Sequence, residues 1–337
     1  MNASNKSPPR RSAGMKRVLR SLWYTAPGRV ELRSRPLDLP RPGDALVKTL
    51  FTGISRGTER LVLSGAVGAS EWSRMQAPMQ EGTFPFPVKY GYCAVGQVEM
   101  GPEALRGRTV FALSPHQDWI VTAPERLTVV PDNVPARRAT LAANMETALN
   151  ALWDSGAGPA DRIVVVGAGV VGLLVGCLAA RLPGAEVDVV DIDPERRAIV
   201  ESLGCRFAAP QSAPSGADVV FHTSVSAAGL NLAIECAGFE ATVVELSWYG
   251  DRDIPARLGG AFHSQRLKLV SSQVGNVATS RRARWDYAKR MAAAMRLLDD
   301  PRLDALVSEA IKFETAETEL PRILAPGAKG LAPIIAY

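Results

Sequence analysis

Residues 161–197 read DRIVVVGAGVVGLLVGCLAARLPGAEVDVVDIDPERR, and this stretch decides the fold. Its β-branched run at 163–166 predicts a buried strand, and the apolar pattern after the glycines predicts a helix. Each glycine of the intervening GxGxxG pattern has its own task. Gly167 allows a tight turn, Gly169 lets the backbone approach a pyrophosphate, and Gly172 lets the helix lie close to the strand. A strand, a glycine turn and a helix in this order predict dinucleotide binding.

The predicted helix begins at Val170 and Val171, whose N–H groups and partial positive charge would face the pyrophosphate. A second predicted strand ends in Asp191, 19 residues after Gly172. A carboxylate there would accept hydrogen bonds from the adenosine ribose and repel the additional phosphate of NADP. We therefore expect NAD as the cofactor. Arg196 is also expected at the cofactor, and its positive charge keeps NADP as an alternative.

The apolar stretch at 163–180 carries no charged residue over 18 positions, near the lower limit for a helix that spans a bilayer. Four glycines within this stretch and an apolar strand soon after it argue against a membrane helix. We therefore expect no membrane association.

The composition, with 47% hydrophobic and 22% charged residues, is that of a soluble globular protein. The net charge of +5 comes mainly from the first 20 residues, which hold six Lys or Arg and no acid. The body of the chain therefore gives no reason to expect nucleic-acid binding. Residues 1–15 are predicted to be a disordered basic tail without the apolar segment of a signal peptide. Four scattered cysteines predict free thiols and a cytoplasmic location.

The order of patterns along the chain predicts three further segments. Residues 16–140 hold short β-type runs separated by Pro and Gly, typical of a compact, mostly antiparallel β lobe. Residues 141–298 alternate strands and helices and predict a parallel sheet covered on both faces, with one long helix at 281–298. Residues 299–337 form a return segment that ends in a strand. The long apolar connection at 64–87 is either a substrate lid or a cover for the core of the β lobe.

Four motifs point to one family: RPGDALVKTLFTGISRGTE (41–59), KYGYCAVGQV (89–98), METALNAL (145–152) and VVGAGVVG (165–172). Together they resemble the medium-chain dehydrogenase/reductase superfamily. The resemblance implies an α/β fold in which a Rossmann doubly wound parallel sheet accompanies a GroES-like, mostly antiparallel β catalytic domain. It also implies that the last segment rejoins the β lobe.

The zinc ligands of that superfamily are replaced in this chain. Zinc-using members would have Cys at the position of Ser55 and a His-Glu pair at those of Tyr92 and Cys93, with a further ligand near Ala143 or Asn144. A zinc site needs three protein ligands, and Ser, Tyr and Ala are not zinc ligands. No closely spaced cysteines follow Gly101 to form a structural zinc loop. We therefore expect no metal. An improvised site stays a lesser alternative, formed from Cys93, His116 and Glu59.

Two short motifs, GISRGTE and PVKYGYCAVG, look most like a branch without zinc that includes the bacteriochlorophyllide hydroxyethyl dehydrogenases. The resemblance implies an NAD-dependent enzyme that interconverts a secondary alcohol and a ketone on a bulky, partly apolar small molecule. Two alternatives remain, an enone or quinone reductase and a non-catalytic NAD(H)-binding sensor. The expected assembly is a homodimer, with a small-molecule substrate as the other partner.

Hydride transfer without a metal needs hydrogen-bond donors that stabilise the developing oxyanion. Tyr92, Ser55 and Thr58 occupy or adjoin the lost ligand positions, so they are expected to face the nicotinamide. Tyr92 is the first choice for the proton chemistry, although it could instead be an aromatic packed in the β lobe. His116 could relay the proton, since histidine titrates near neutrality, or it could be a surface group.

Three residues complete the predicted cofactor site. Thr147 matches the position that touches the nicotinamide in the family. Ser224 and Tyr249 follow two predicted strands of the parallel sheet, at the edge where the nicotinamide half should lie. His222 ends the first of these strands.

Overall fold

The computed structural model describes residues 17–337, so the predicted basic tail at 1–15 lies outside the described residues. Before the glycine pattern the chain forms mainly short strands, as the Pro- and Gly-separated runs predict. In chain order these elements are β1 (Val18–Ala26), β2 (Arg29–Pro36), β3 (Ala45–Gly53), α1 (Arg56–Ser64), β4 (Glu81–Gly82), β5 (Val88–Lys89), β6 (Ala94–Met100), β7 (Thr109–Ala112), β8 (Trp119–Thr122), β9 (Leu127–Val129) and α2 (Ala136–Ala139).

From residue 142 onward, helices and strands alternate. These elements are α3 (Ala142–Ser155), β10 (Arg162–Val166), α4 (Val170–Ala179), β11 (Glu186–Val190), α5 (Arg197–Ser202), β12 (Arg206–Ala208), β13 (Ala217–His222), α6 (Ala227–Cys236), β14 (Ala237–Glu245), α7 (Ala261–Ser264), β15 (Lys268–Ser271), α8 (Tyr287–Leu297), β16 (Val307–Lys312), α9 (Ala316–Leu324) and β17 (Ala332–Ala336).

The described residues form three sheets. Six parallel strands in the order β12-β11-β10-β13-β14-β15 make the Rossmann sheet. The β lobe contains a four-stranded sheet, β2-β1-β5-β4, and a seven-stranded sheet in the order β16-β17-β3-β6-β7-β9, with β8 paired to β3. This combination is the predicted α/β fold. The final strand β17 pairs with β3, so the return segment does rejoin the lobe.

The parallel sheet is buried on both faces, as its continuous apolar strands require. Val165 packs on one side with Leu174 of α4 and Met295 of α8. Val164, next along the strand, packs on the other side with Ile234 of α6. Because successive side chains of a strand point to opposite faces, one run of valines serves both layers.

Gly167 and Gly172 explain how α4 starts so close to β10. Gly167 has a φ of +111°, in the region that favours glycine. A Cβ on Gly172 would lie 1.9 Å from the carbonyl oxygen of Gly167, so no side chain fits there. The glycine turn thus divides the apolar stretch at 163–180 into a strand and a short helix. Among residues 17–337, no helix is long and apolar enough to cross a bilayer.

The prediction of one helix over 281–298 is wrong at its start. The helix α8 begins at Tyr287, because the side chain of Asp286 accepts a hydrogen bond from the Lys289 N–H and caps it. The arginines at 281, 282 and 284 lie in the preceding turns.

The connection at 64–87 contributes both to the core of the β lobe and to a cleft, and its role toward a substrate stays a prediction. Phe84 is buried in the core of the β lobe, next to Phe86 and Val88. Met75 and Met79, in the middle of the connection, instead line the large cleft described below.

Candidate active site

A cleft of about 2090 Å³ lies between the β lobe and the carboxyl ends of the parallel strands. In a parallel α/β sheet this is the edge at which ligands bind. Most of the predicted site residues line the cleft, namely Ser55, Thr58, Tyr92, Thr147, Gly167, Gly169, Val170, Val171, Gly172, Asp191, Arg196 and Ser224. His116 and Tyr249 do not line it.

The glycine turn at the start of α4 suits a pyrophosphate. No atom lies within 4 Å of the position that a Cβ on Gly169 would take, so the backbone is open to the cleft there. The first N–H groups of a helix have no acceptor within it, and those of Val170 and Val171 begin α4. An anion in the cleft could therefore approach the helix start closely.

Asp191 is fixed beside this turn by two backbone donors. The Ala168 N–H donates to its Oδ2 at 2.6 Å, and the Asp193 N–H donates to its Oδ1 at 2.8 Å. Each carboxylate oxygen keeps a further lone pair for a ribose hydroxyl. Arg196 lies nearby, with its Nε 3.4 Å from Oδ2 of Asp193, which partly balances its charge.

On the β-lobe side, Tyr92, Thr58 and Ser55 form one polar group. The Tyr92 hydroxyl donates to Thr58 Oγ1 at 3.2 Å. Burial raises the pKa of Tyr92 well above its usual range, more than hydrogen bonds with Ser55 and Thr58 lower it. At neutral pH, Tyr92 is therefore a phenol, and its one proton, which is donated to Thr58 in this structure, could turn to an oxygen in the cleft.

His116 lies beneath this group, in the protein interior. Its Nδ1 is 2.7 Å from Thr52 Oγ1 and its Nε2 is 2.9 Å from Oε2 of Glu59. The fully buried Glu59 also accepts hydrogen bonds from the Tyr24 hydroxyl and the Ser55 N–H, both at 2.7 Å. The His116 side chain is thus a buried structural partner of Glu59, and the structure supports neither a relay in the cleft nor a surface position.

The improvised metal site is not assembled. Within residues 17–337, no group of three or more His, Cys, Asp or Glu side chains could hold a metal ion. Glu59 and His116 pair with each other, and burial raises the pKa of the Cys93 thiol, which disfavours the thiolate that a metal needs.

Three predicted cofactor residues have hydrogen-bond partners within the protein. The Thr147 hydroxyl donates to the Ala143 carbonyl at 2.9 Å within α3. The Tyr249 hydroxyl donates to Glu245 at 3.1 Å, behind the cleft wall. Ser224 lines the cleft, but its hydroxyl is 2.7 Å from Nε2 of His222.

Arg290 was not among the predicted site residues. It is buried in α8, where its Nε donates to Glu146 at 3.0 Å and its guanidinium also donates to the carbonyls of Val274 and Asn276. These contacts fix a loop at 273–275 that lines the cleft. Glu146, an acid between apolar residues in the first half of α3, was the sequence signal that a buried cation would be needed.

Two curated proteins are similar to this chain in sequence. No protein-family model matches the chain. An uncharacterised zinc-type alcohol dehydrogenase-like protein of Haemophilus influenzae is 26% identical over 211 residues, covering 56% of this chain and 61% of that protein, less than two thirds of its length. A probable D-xylulose reductase A of Aspergillus niger is 22% identical over 341 residues, covering 91% of this chain and 94% of the relative.

Solved structures agree with this fold. A putative zinc-binding dehydrogenase from Sinorhizobium meliloti, bound to NADP, has a TM-score of 0.74 and 18% identity, covering 95% of this chain and 100% of that one. An alcohol dehydrogenase from Escherichia coli, in complex with NADH, has a TM-score of 0.74 and 14% identity, covering 95% and 99%. The chain has the fold of these dehydrogenases. In sequence, the chain is similar to a zinc-type alcohol dehydrogenase-like protein and to a D-xylulose reductase.

Proposed function

We propose that this chain is an NAD(H)-dependent oxidoreductase that interconverts a secondary alcohol and a ketone without catalytic zinc. The observation that carries the proposal is the cleft itself. It has the glycine turn and Asp191 on the Rossmann side and Tyr92, Thr58 and Ser55 on the lobe side. The relatives support the reaction class, because one of them is named a D-xylulose reductase.

Each group of residues in the cleft would have its own role in this reaction. The helix start at Val170 and the carboxylate of Asp191 would hold the dinucleotide, which supplies the hydride acceptor or donor. The Tyr92 hydroxyl would donate to the substrate oxygen and stabilise the charge that develops on it. Thr58 and Ser55 would orient that phenol.

Cofactor preference follows from the charge beside the ribose. Asp191 is held in place by two backbone N–H groups, so it cannot turn away from an additional phosphate. Arg196 is 3.4 Å from Asp193 and is thereby less available to bind such a phosphate. Both points support NAD over NADP.

The substrate is proposed to be bulky and partly apolar. Outside the glycine turn and the polar group, the cleft wall is largely hydrophobic and comes from the 64–87 connection, β9 and α8. Its apolar members include Met75, Met79, Leu127, Met291 and Met295. Methionine side chains adapt to irregular ligands, which suits a large apolar body.

Three measurements test this function. Fluorescence titration should show tighter binding of NADH than of NADPH, and the reverse order would favour an enone or quinone reductase. Metal analysis of the purified protein should find less than one zinc per chain. A screen of bulky secondary alcohols, ketones and enones should give turnover. NADH binding without any turnover would favour a sensor.

A further inference from the structure

The proposed reaction releases or consumes a proton, and the polar group on the lobe side cannot store it. Tyr92 stays protonated because burial raises the pKa of its phenol. A histidine is the ordinary side chain for proton exchange near neutrality. Of the three histidines, His116 is buried away from the cleft and His263 is exposed on α7. His222 remains.

His222 ends β13, is fully buried, and belongs to a continuous hydrogen-bonded path. Its Nδ1 is 2.8 Å from Oε2 of Glu245, and its Nε2 is 2.7 Å from Ser224 Oγ. Ser224 Oγ is 3.0 Å from Ser226 Oγ, and Ser226 caps α6 by accepting from the Gly229 N–H at 3.0 Å. Ser224 and Ser226 both line the cleft.

The partners fix the direction of the hydroxyl protons. The Ser226 oxygen accepts a hydrogen bond from a backbone N–H, so the Ser226 hydroxyl can donate its own proton to Ser224. The Ser224 hydroxyl in turn donates to Nε2 of the neutral ring. If the ring gains a proton, Nε2–H donates to Ser224 instead. Both hydroxyls then rotate, and that of Ser226 donates toward the cleft. One proton passes between the cleft and the ring without any movement of the backbone.

On the side of the ring opposite Ser224, Nδ1 faces the carboxylate of Glu245. Burial raises the pKa of Glu245, but the hydrogen bond and charge of His222 lower it further, so the net pKa is lowered. The Ser247 N–H donates to Glu245 at 2.7 Å, and the Tyr249 hydroxyl donates at 3.1 Å. The guanidinium of Arg252 lies over the Tyr249 ring, 5.9 Å from its centroid. An anionic Glu245 orients the imidazole and stabilises its protonated form.

The backbone around the serines is also unusual. Val225, between them, has a φ of +54°, which a β-branched residue rarely adopts. A Cβ on Gly229 would lie 2.0 Å from Ser224 Oγ, so only glycine lets α6 pack against this hydroxyl. Both serines thus belong to one hydrogen-bonded series from the ring to the cleft lining.

We propose that His222, oriented by Glu245, exchanges the reaction proton with the cleft through Ser224 and Ser226. In alcohol oxidation the carbinol C–H bond breaks and its hydride passes to an oxidised nicotinamide. The O–H bond also breaks, and its proton passes along the two hydroxyls to Nε2. Ketone reduction runs the same path in reverse. This assignment rests on the proposed function. His222 does not touch the substrate and acts on it only through the two serines.

The path itself can be tested on the protein alone. In the full chain labelled with ¹⁵N-histidine, NMR should show that the proton on Nε2 of a protonated His222 ring exchanges with water at least about tenfold faster than the ring N–H of His116, which is equally buried. His222→Asn and His263→Gln variants assign the signals. Ser224→Ala should slow exchange at His222 and leave His116 unchanged. Equal exchange rates at the two histidines would overturn the path.

Turnover provides the second readout. Ser224→Ala should lower kcat by about 10- to 100-fold while the Kd for NADH changes by less than about threefold. Ser226→Thr keeps both the hydroxyl and the cap, so it should retain turnover that Ser226→Ala loses. Ser212→Ala, an exposed serine that bonds only to the Ala209 carbonyl, is the matched control. An unchanged kcat in Ser224→Ala would overturn the proposal.

The two proposals fail in different ways. Fast exchange at His222 in a wild-type protein that turns over no alcohol, ketone or enone would refute the proposed function, and with it the catalytic use of the path. Slow exchange at His222 in an active enzyme would refute the path alone.

Discussion

Tyr92 is the residue on which the proposed chemistry depends most directly. Its hydroxyl lies 3.2 Å from Thr58 Oγ1 and belongs to the cleft wall. Tyr92→Phe removes the donor to the substrate oxygen, so kcat/KM should fall by about 100-fold with little change in the Kd for NADH. Steady-state kinetics and fluorescence titration check both values.

Tyr337→Phe serves as the control for that experiment. Its hydroxyl is 3.2 Å from Thr52 and lies outside the cleft lining, so the variant loses a buried hydrogen bond without touching the site. An unchanged kcat/KM in Tyr92→Phe would show that another group stabilises the oxyanion. An equal loss in Tyr337→Phe would show that losing a buried hydrogen bond is enough to lower kcat/KM, so the loss in Tyr92→Phe would not identify the donor.

Because of Glu59, the stability of the β lobe should fall at acid pH. Burial raises its pKa, but the charge and hydrogen bond of His116, together with hydrogen bonds from Tyr24 and Ser55, lower it more, so the folded-state pKa lies below the 4.5 of a free glutamate. A lowered pKa contributes stability above pH 4.5 that is lost as the pH falls through the folded value. Urea unfolding between pH 7 and pH 3 should show this loss.

Glu59→Gln should reduce the free energy of unfolding at pH 7 by about 3 kcal/mol, because it leaves His116 without its carboxylate. The variant should also depend less on acid pH than the wild type does. Glu125→Gln, on the exposed edge of the cleft, should keep the wild-type profile. Parallel profiles for Glu59→Gln and the wild type would contradict this account.

Sequence reasoning located single residues well when one local pattern defined their task. The glycines and Asp191 belong to such a pattern, and the structure brings them together in one cleft. His116 depends instead on Glu59, which is 57 residues away in the chain. No spacing in the sequence shows this pairing, because it arises from packing between elements. Tyr249 turns to Glu245, four residues before it, and a local strand-end contact of this kind is not marked by the pattern that predicts the strand.

At the scale of the element, substitutions of two glycines at the start of α4 should separate the effect on NADH binding from the effect on folding stability. The site for a Cβ on Gly169 is open, whereas one on Gly172 would lie 1.9 Å from a backbone oxygen. Gly169→Ala should keep the free energy of unfolding within about 0.5 kcal/mol of the wild type while weakening NADH binding by about tenfold. Gly172→Ala should cost about 1–3 kcal/mol, because backbone must shift.

Chemical denaturation and NADH titration of the two variants give both quantities. Unaltered NADH affinity in Gly169→Ala would mean that the dinucleotide does not cross the start of α4. A fully stable Gly172→Ala would show that the strand and the helix can separate without cost.

Element boundaries were harder to predict than element types. The helix expected from residue 281 begins at Tyr287, since the cap at Asp286 overrides the apolar periodicity. The connection at 64–87 had two interpretations because burial depends on what lies opposite each residue. Phe84 faces the lobe core while Met75 faces the cleft, and only the tertiary fold separates them.

At the scale of the whole molecule, the order of β lobe, Rossmann unit and return segment was readable from the sequence. The strand that pairs with the last strand could not be predicted from the sequence pattern, since β17 pairs with β3, more than 270 residues earlier. That expectation came from family resemblance alone. The cleft is likewise a product of both halves, because its polar group comes from the β lobe and its glycine turn from the Rossmann unit.

A ligand held between these halves should stabilise the whole chain, because it binds only the folded form. NADH at a free concentration of 100 times its Kd should raise the free energy of unfolding by about 2.7 kcal/mol. Denaturant unfolding with and without NADH measures this increment, and NADPH at the same concentration is the control. NADPH should add less, because Asp191 opposes its additional phosphate. An equal increment from both would contradict the preference for NAD, and no increment from either would contradict the dinucleotide site.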